Sequence, residues 1–140
     1  MNAFILFLHF FGLMLGAAGG FASGILMRRA LTMPPDQAKT VRSLGPLLAY
    51  VSAIGLVVLW VTGLIMVWSK GYGLDGLPTL FWVKFVFVVT LTLASGAIHM
   101  TYAEIRRTGN VALGARLAKL GPAAGASATL AVLFAAFAFN

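Results

Sequence analysis

The sequence contains no cysteine and few charged residues. Charged residues make up 9% of the 140 residues, whereas about a quarter of a soluble domain is charged. The absence of cysteine excludes disulfides, iron–sulfur clusters, thiolate metal sites and covalently attached haem. The shortage of charge excludes a soluble globular enzyme, because too few polar side chains remain to cover a water-facing surface. The hydrophobic content of 61% excludes intrinsic disorder.

Four apolar stretches are long enough to cross a bilayer, which takes about 20 helical residues. They cover residues of about 3–27, 46–68, 79–102 and 122–139. Pro46 and Pro122 stand near the expected helix starts, where a missing N–H is harmless. The sequence therefore predicts an all-α integral membrane protein, a four-helix bundle with up-down-up-down topology formed by residues 1–140 as a single domain.

The basic residues are concentrated in two of the three connections. Loops 28–45 and 103–121 carry eight of them, while the middle connection carries only Lys70, balanced by Asp75. The eight are Arg28, Arg29, Lys39, Arg42, Arg106, Arg107, Arg116 and Lys119. By the positive-inside rule we expect both basic loops in the cytoplasm, both termini outside, and an inner (plasma) membrane location. The net charge of +7 is interpreted as this topological signal, not as nucleic-acid binding.

Each of the two basic loops contains a segment with its own structural expectation. Pro34 and Pro35 predict a non-helical turn in the first of them. Residues 111–120 form either a short interfacial helix or a solvated connector.

Small residues follow helical spacing along one face of the first span. Gly12, Gly16 and Gly20 form a G-x-x-x-G-x-x-x-G pattern, and His9, Ser23 and Met27 extend the same face. Such patterns allow two membrane helices to pack closely. The same groove could also admit a flat cofactor at Gly12 and Gly16, and the two interpretations are compatible.

The third span has a polar stripe of Lys84, Thr92, Ser95 and His99. Ionisable groups within a span usually face the bundle interior and mark function. Lys84 either extends to the headgroups or pairs with an anionic group such as a propionate.

His9 and His99 are the only histidines, and both lie in spans. Imidazole is a common ligand of haem iron, so both are candidate metal ligands. Their depths, about 9 and 30 Å from one end at 1.5 Å per residue, disfavour a single haem held by both. His9 has Met66 and Lys84 at similar depth, as a weak second ligand and a propionate partner. His99 could hold a second haem, relay protons or be an interfacial histidine, and His9 could be a buried packing histidine.

The chain resembles the HemJ-type protoporphyrinogen oxidases and the related CopD-like membrane proteins. The resemblance rests on Leu8-His9, Arg28-Arg29, Trp82-Val83-Lys84 and His99. It implies a haem b protein with His9 as the ligand, and Lys84 and Arg28 as essential cations.

Three functions follow as expectations. The first is a b-type haem membrane protein that transfers electrons or oxidises a porphyrin, which would make it a HemJ-like oxidoreductase. The second is a cofactor-free accessory subunit of a larger respiratory or photosynthetic membrane complex. The third is a CopD-like transporter, although the six methionines are too scattered to mark a copper site. In each case we expect lipid contact and either a homo-oligomer or a larger membrane complex.

Overall fold

The computed structural model is all-helical and describes residues 3–71 and 74–138. Its order is α1 (Ala3–Ala30), α2 (Pro35–Ser43), α3 (Gly45–Ser69), a 3₁₀ turn (Leu74–Gly76), α4 (Thr79–Thr108), a second 3₁₀ turn (Val111–Leu113) and α5 (Gly114–Ala138). In this part of the chain four helical segments, containing α1, α3, α4 and α5, are long and apolar enough to cross a membrane. The predicted all-α class with four such helices is confirmed.

Proline and glycine residues mark where two of the long helices begin and end. Pro46 lies in the first turn of α3, as predicted. α4 ends at Thr108, and Gly109 after it provides the left-handed cap with a φ of 68°, a conformation that glycine adopts without a Cβ clash. α4 therefore extends six residues beyond the predicted end at Tyr102.

The two basic connections are more helical than expected. Pro34 is the N-cap of α2, and Pro35 occupies its first position because proline fits a helix start. The turn predicted at these prolines therefore leads directly into an unpredicted helix.

The last helix differs most from its prediction. α5 starts at Gly114, so Pro122 lies inside the helix and leaves the carbonyl of Ala118 without its usual backbone donor. Most of segment 111–120 belongs to this helix instead of forming a separate interfacial helix or connector. Phe139, the predicted end of the last span, lies outside the described residues.

The four long helices form a square. α1 packs against α3, α3 against α4, α4 against α5, and α5 against α1. Within the described ranges, the diagonal pairs α1/α4 and α3/α5 have no close backbone approach. The α1–α3 and α4–α5 interfaces are the extensive ones, so the bundle consists of two tight pairs joined by two looser seams.

Close contacts at three glycines fix the register of α1 on α3. A methyl group at Gly12 would lie 2.9 Å from Val58 Cγ1, and one at Gly19 would lie 2.7 Å from the Leu48 carbonyl oxygen. Gly55 faces the backbone of Gly12 and Gly16. The helices are therefore antiparallel, and residues at the same level have numbers that sum to about 71.

The end where α1 stops and α5 begins, called the basic end, carries both basic connections. The other end carries the starts of α1 and α4 and is called the opposite end. Which end faces the cytoplasm depends on the membrane and not on the fold.

Candidate functional site

His9 on α1 faces Thr62 on α3, near the opposite end. His9 Nδ1 lies 2.8 Å from Thr62 Oγ1, and Thr62 Oγ1 lies 2.6 Å from the carbonyl oxygen of Val58. A carbonyl can only accept, so the single hydroxyl proton goes to Val58 and the hydroxyl oxygen accepts from Nδ1–H. This network assigns the proton to Nδ1 and leaves the lone pair of His9 on Nε2.

The arrangement of His9 is the one that ligand histidines use. A metal-bound imidazole normally donates its second N–H to a fixed acceptor, which sets the tautomer and the ring orientation. Thr62 supplies that acceptor. Gly63 adds no bulk beside the ring, since a methyl group there would lie 3.7 Å from His9 Cε1.

Lys84 on α4 brings a cation to the same region. It lies in the second turn of α4, at the same end of the bundle as His9, and is partly buried. Its Nζ lies 5.9 Å from the centre of the Phe81 ring. Arg116 forms an ion pair with Glu104 at 3.6 Å, at the basic end, and no ion pair of Lys84 occurs among the described residues. Lys84 is thus available to an anionic group of a ligand.

Aromatic side chains line the α3–α4 seam beside this region. Trp60 packs edge-on against Phe85, with ring centres 5.7 Å apart. Its indole N–H donates to Thr92 Oγ1 over 3.0 Å. These rings hold α3 and α4 apart, which explains why this seam is looser than the α1–α3 interface.

Gly12 and Gly16 do not provide the opening that a porphyrin would need. Gly55 and Val58 of α3 occupy the space beside Gly12, and Gly55 also faces Gly16. Ser52 Oγ donates to the Gly16 carbonyl oxygen over 2.8 Å. These glycines let two backbones approach closely, so any flat group beside His9 must enter from the α4 side.

His99 lies in a different layer of the bundle. Its ring packs edge-on against Tyr50, with ring centres 5.4 Å apart. Tyr50 is twelve residues from Thr62 on α3, so the two histidines are about 18 Å apart along the axis. This spacing agrees with the expectation that they do not share one iron. His99 Nε2 is buried and has no hydrogen-bond partner among the described residues.

The remaining predicted residues lie further from His9. Met66 is one turn beyond Thr62, about 6 Å along α3, and is partly buried. Arg28 is exposed at the basic end, nineteen residues and about 28 Å along α1 from His9. Arg28 and His9 therefore cannot contact the same haem.

Two contributors were missed by reasoning from the sequence. Thr62 orients His9. One indication of this residue was present in the sequence, because Thr62 is the only threonine in the apolar span 46–68. Tyr102 is buried and packs against Gly45, at the start of α3 near the basic end. A methyl group at Gly45 would overlap the Tyr102 hydroxyl and lie 2.9 Å from Met27 Cε.

Comparisons with known proteins do not assign the chain to a family. No family model, curated protein or solved structure matches the chain. The resemblance to HemJ-type and CopD-like proteins therefore stays a prediction carried by the residues quoted for it.

The described residues also contain no group of three or more histidine or carboxylate side chains placed to hold a metal ion. Among the described residues, His9 is therefore not part of a site in which several protein side chains hold a metal ion. His9 offers one imidazole whose Nδ1 is hydrogen bonded to Thr62, and Lys84 is partly buried at the same end of the bundle.

Proposed function

We propose that the chain is a multi-pass inner-membrane protein that binds haem b through His9 and acts in electron transfer or porphyrin oxidation. Both basic loops face the cytoplasm in this proposal, because they carry eight of the ten basic residues. The observation that carries the haem assignment is the His9–Thr62 hydrogen bond of 2.8 Å, which leaves Nε2 able to ligate iron.

The protein residues have separate tasks in this proposal. His9 Nε2 would ligate the iron, Thr62 would fix the imidazole ring, and the Lys84 ammonium would pair with a propionate. Haem when bound would supply one-electron redox chemistry. In this proposal a flat group would enter through the looser α3–α4 seam, because the α1–α3 interface is filled by backbone contacts.

The test is the visible absorption spectrum of detergent-purified protein, oxidised and reduced, after expression with added haem precursor. We expect a Soret band in the wild type and its loss in His9→Ala. His99→Ala is the matched control, since it removes the other intramembrane imidazole about 18 Å away, and should keep the haem at His9. A colourless wild type, or a Soret band that survives His9→Ala, contradicts the proposal.

Lys84→Met sharpens the assignment of the cation. We expect the Soret maximum to stay in place, because His9 is unchanged, while haem is lost faster to apomyoglobin. An unchanged rate of haem loss would remove Lys84 from the site.

The second candidate is a cofactor-free accessory subunit of a larger membrane complex or a homo-oligomer. The observation in its favour is that no large side chain is completely buried within the described residues. Gly20 and Gly96 are also exposed, and a methyl group at Gly96 would meet no atom within 4 Å. Membrane helices associate through such small residues. A colourless chain that purifies with other subunits would favour this candidate.

A further inference from the structure

His99 carries a polar atom that the fold leaves unsatisfied. Among the described residues, its Nε2 is the only buried side-chain nitrogen or oxygen without a hydrogen-bond partner. Such an atom costs free energy, because it has lost its contact with water and gained nothing in return. The hydrocarbon around a membrane helix supplies no replacement partner. A bound molecule with a hydrogen-bonding group at this position would remove the cost.

The His99 side chain points from α4 into the α3–α4 seam. Phe85 and Thr92 of α4 both contact Trp60 of α3, so their direction marks the side of α4 that faces α3. Each step of seven residues turns a helix by about 700°, which places His99 within about 40° of both. The contact of its ring with Tyr50 of α3, 5.4 Å between ring centres, agrees with this direction.

Small residues border His99 on the outer side of this seam. Gly96 and Ala103 lie about one turn before and after it, rotated from it by about 60° and 40° in the same sense. That sense leads to the outer face of α4, since Met100, at about 100°, is 74% exposed. Gly96 and Ala103 are exposed as well, and a methyl group at Gly96 would meet no atom within 4 Å. The imidazole therefore has open space beside it on the side that faces lipid.

Tyr50 covers the imidazole from the α3 side. Its side chain is 55% exposed, although its ring contacts His99. An exposed side chain changes rotamer within nanoseconds, so Tyr50 can uncover His99 without any movement of the helices. His99 lies seven residues, or about 10 Å along α4, from Arg106. The opening is therefore within the apolar layer, and a ligand reaches it from lipid and not from water.

We propose that this opening binds the head group of a membrane quinone, a flat, uncharged, lipid-soluble ring with carbonyl oxygens. The ring lies beside Gly96 and under Tyr50, and its tail stays among the acyl chains. Depending on its tautomer, His99 Nε2 donates to a quinone carbonyl or accepts from a quinol hydroxyl, so one imidazole suits both forms. The inference requires the chain to lie in a bilayer, but it does not require haem at His9.

Native mass spectrometry in detergent tests this assignment. The wild type is titrated with decylubiquinone and with decylbenzene, which has the same tail and a ring but no carbonyl group. We expect decylubiquinone to bind about fivefold more tightly or better, the usual contribution of one hydrogen bond. Equal binding of the two molecules would show apolar partitioning alone and overturn the proposal.

Two variants locate the site. His99→Phe keeps a ring but removes both nitrogens, and should abolish the preference for decylubiquinone without loss of stability, because it also removes the unsatisfied atom. Gly96→Leu leaves His99 intact but fills the opening, and should weaken decylubiquinone binding by a similar factor.

The matched control is Gly24→Leu on α1, where a methyl group would also meet no atom within 4 Å. We expect this variant to bind decylubiquinone as the wild type does. An equal loss in this control, or full binding in either His99→Phe or Gly96→Leu, would overturn the placement at the α3–α4 seam.

Repeating the titration on His9→Ala separates this inference from the haem proposal. The preference for decylubiquinone should be unchanged in that variant, whether or not the wild type is coloured, and its loss would place the quinone near His9 instead. The same variant is also titrated with haem. A Soret band in His9→Ala that disappears when His99→Ala is added would show that the site at His99 holds haem, and would overturn the quinone assignment.

Discussion

Helix α3 has two contrasting interfaces. Towards α1 it presents Ser52 and Gly55, and the two backbones meet almost without side chains between them. Towards α4 it presents Tyr50 and Trp60, whose rings keep the helices apart. Membrane helices gain no hydrophobic stabilisation from leaving lipid for each other, so close packing and hydrogen bonds must stabilise both interfaces.

The contrast shows where a ligand can and cannot enter. A glycine interface is rigid because nothing in it can move aside, whereas an aromatic seam can separate by rotating a few rings. His9 is tied to the tight side through its hydrogen bond with Thr62, and Lys84 of α4 lies at the same end of the bundle. In the proposed function, the tight α1–α3 pair would orient His9, and the loose α3–α4 seam would leave space for the haem.

The largest expected effect comes from breaking the tight interface. A methyl group at Gly55 would overlap Gly16 N and lie 2.6 Å from the Gly12 carbonyl oxygen. Neither backbone atom can move aside, so Gly55→Ala should destabilise the fold by about 3 kcal/mol or more, at the upper end of overpacking costs. Unfolding in mixed detergent, followed by circular dichroism, measures this.

Gly96→Ala on α4 is the control, because its methyl group would meet no atom within 4 Å. Alanine there should be neutral or stabilising by up to about 1 kcal/mol, from its higher helix propensity. Equal stability of the two variants would mean that α1 and α3 do not pack through Gly55.

The second largest effect is expected at the hydrogen bond between Thr62 and His9. Thr62→Val keeps the shape of the side chain but removes the acceptor of His9 Nδ1–H. We expect haem affinity to fall by about 10- to 100-fold, as for other partners of ligand histidines. Haem titration of the apoprotein measures the change.

Thr90→Val is the matched control for Thr62→Val. Thr90 is exposed, and its hydroxyl donates to the Val86 carbonyl oxygen of its own helix. Haem affinity should not change in this variant. Comparable losses in both variants would contradict an orienting role for Thr62.

The smallest effect is expected in the loose seam. Trp60→Phe keeps a ring against Phe85 but removes the N–H that donates to Thr92. The loss should be about 1 kcal/mol, the usual net contribution of one hydrogen bond. Trp68→Phe is the control, since Trp68 is 89% exposed and should leave stability unchanged. A cost above that of Gly55→Ala would reverse the assigned order of the two interfaces.

The sequence by itself determined the class of the protein. Four long apolar runs and a shortage of charge allow only helices that satisfy their own backbone hydrogen bonds in lipid. The spacing of Gly12, Gly16 and Gly20 also indicated the inward face of α1, but only approximately, because Gly19 is buried there and Gly20 is exposed. Depth counted along the helices was enough to separate His9 from His99, because helical rise is constant.

Tertiary structure decided which residues meet. Register between α1 and α3 depends on contacts that lie 36 to 53 residues apart in the chain, and no local pattern encodes it. Thr62 became the partner of His9, and Gly12 and Gly16 became a backbone contact instead of a cofactor opening, only when that register was set. The helix through Pro122 is a similar case, because the extensive packing of α5 on α4 outweighs the one backbone hydrogen bond that proline removes.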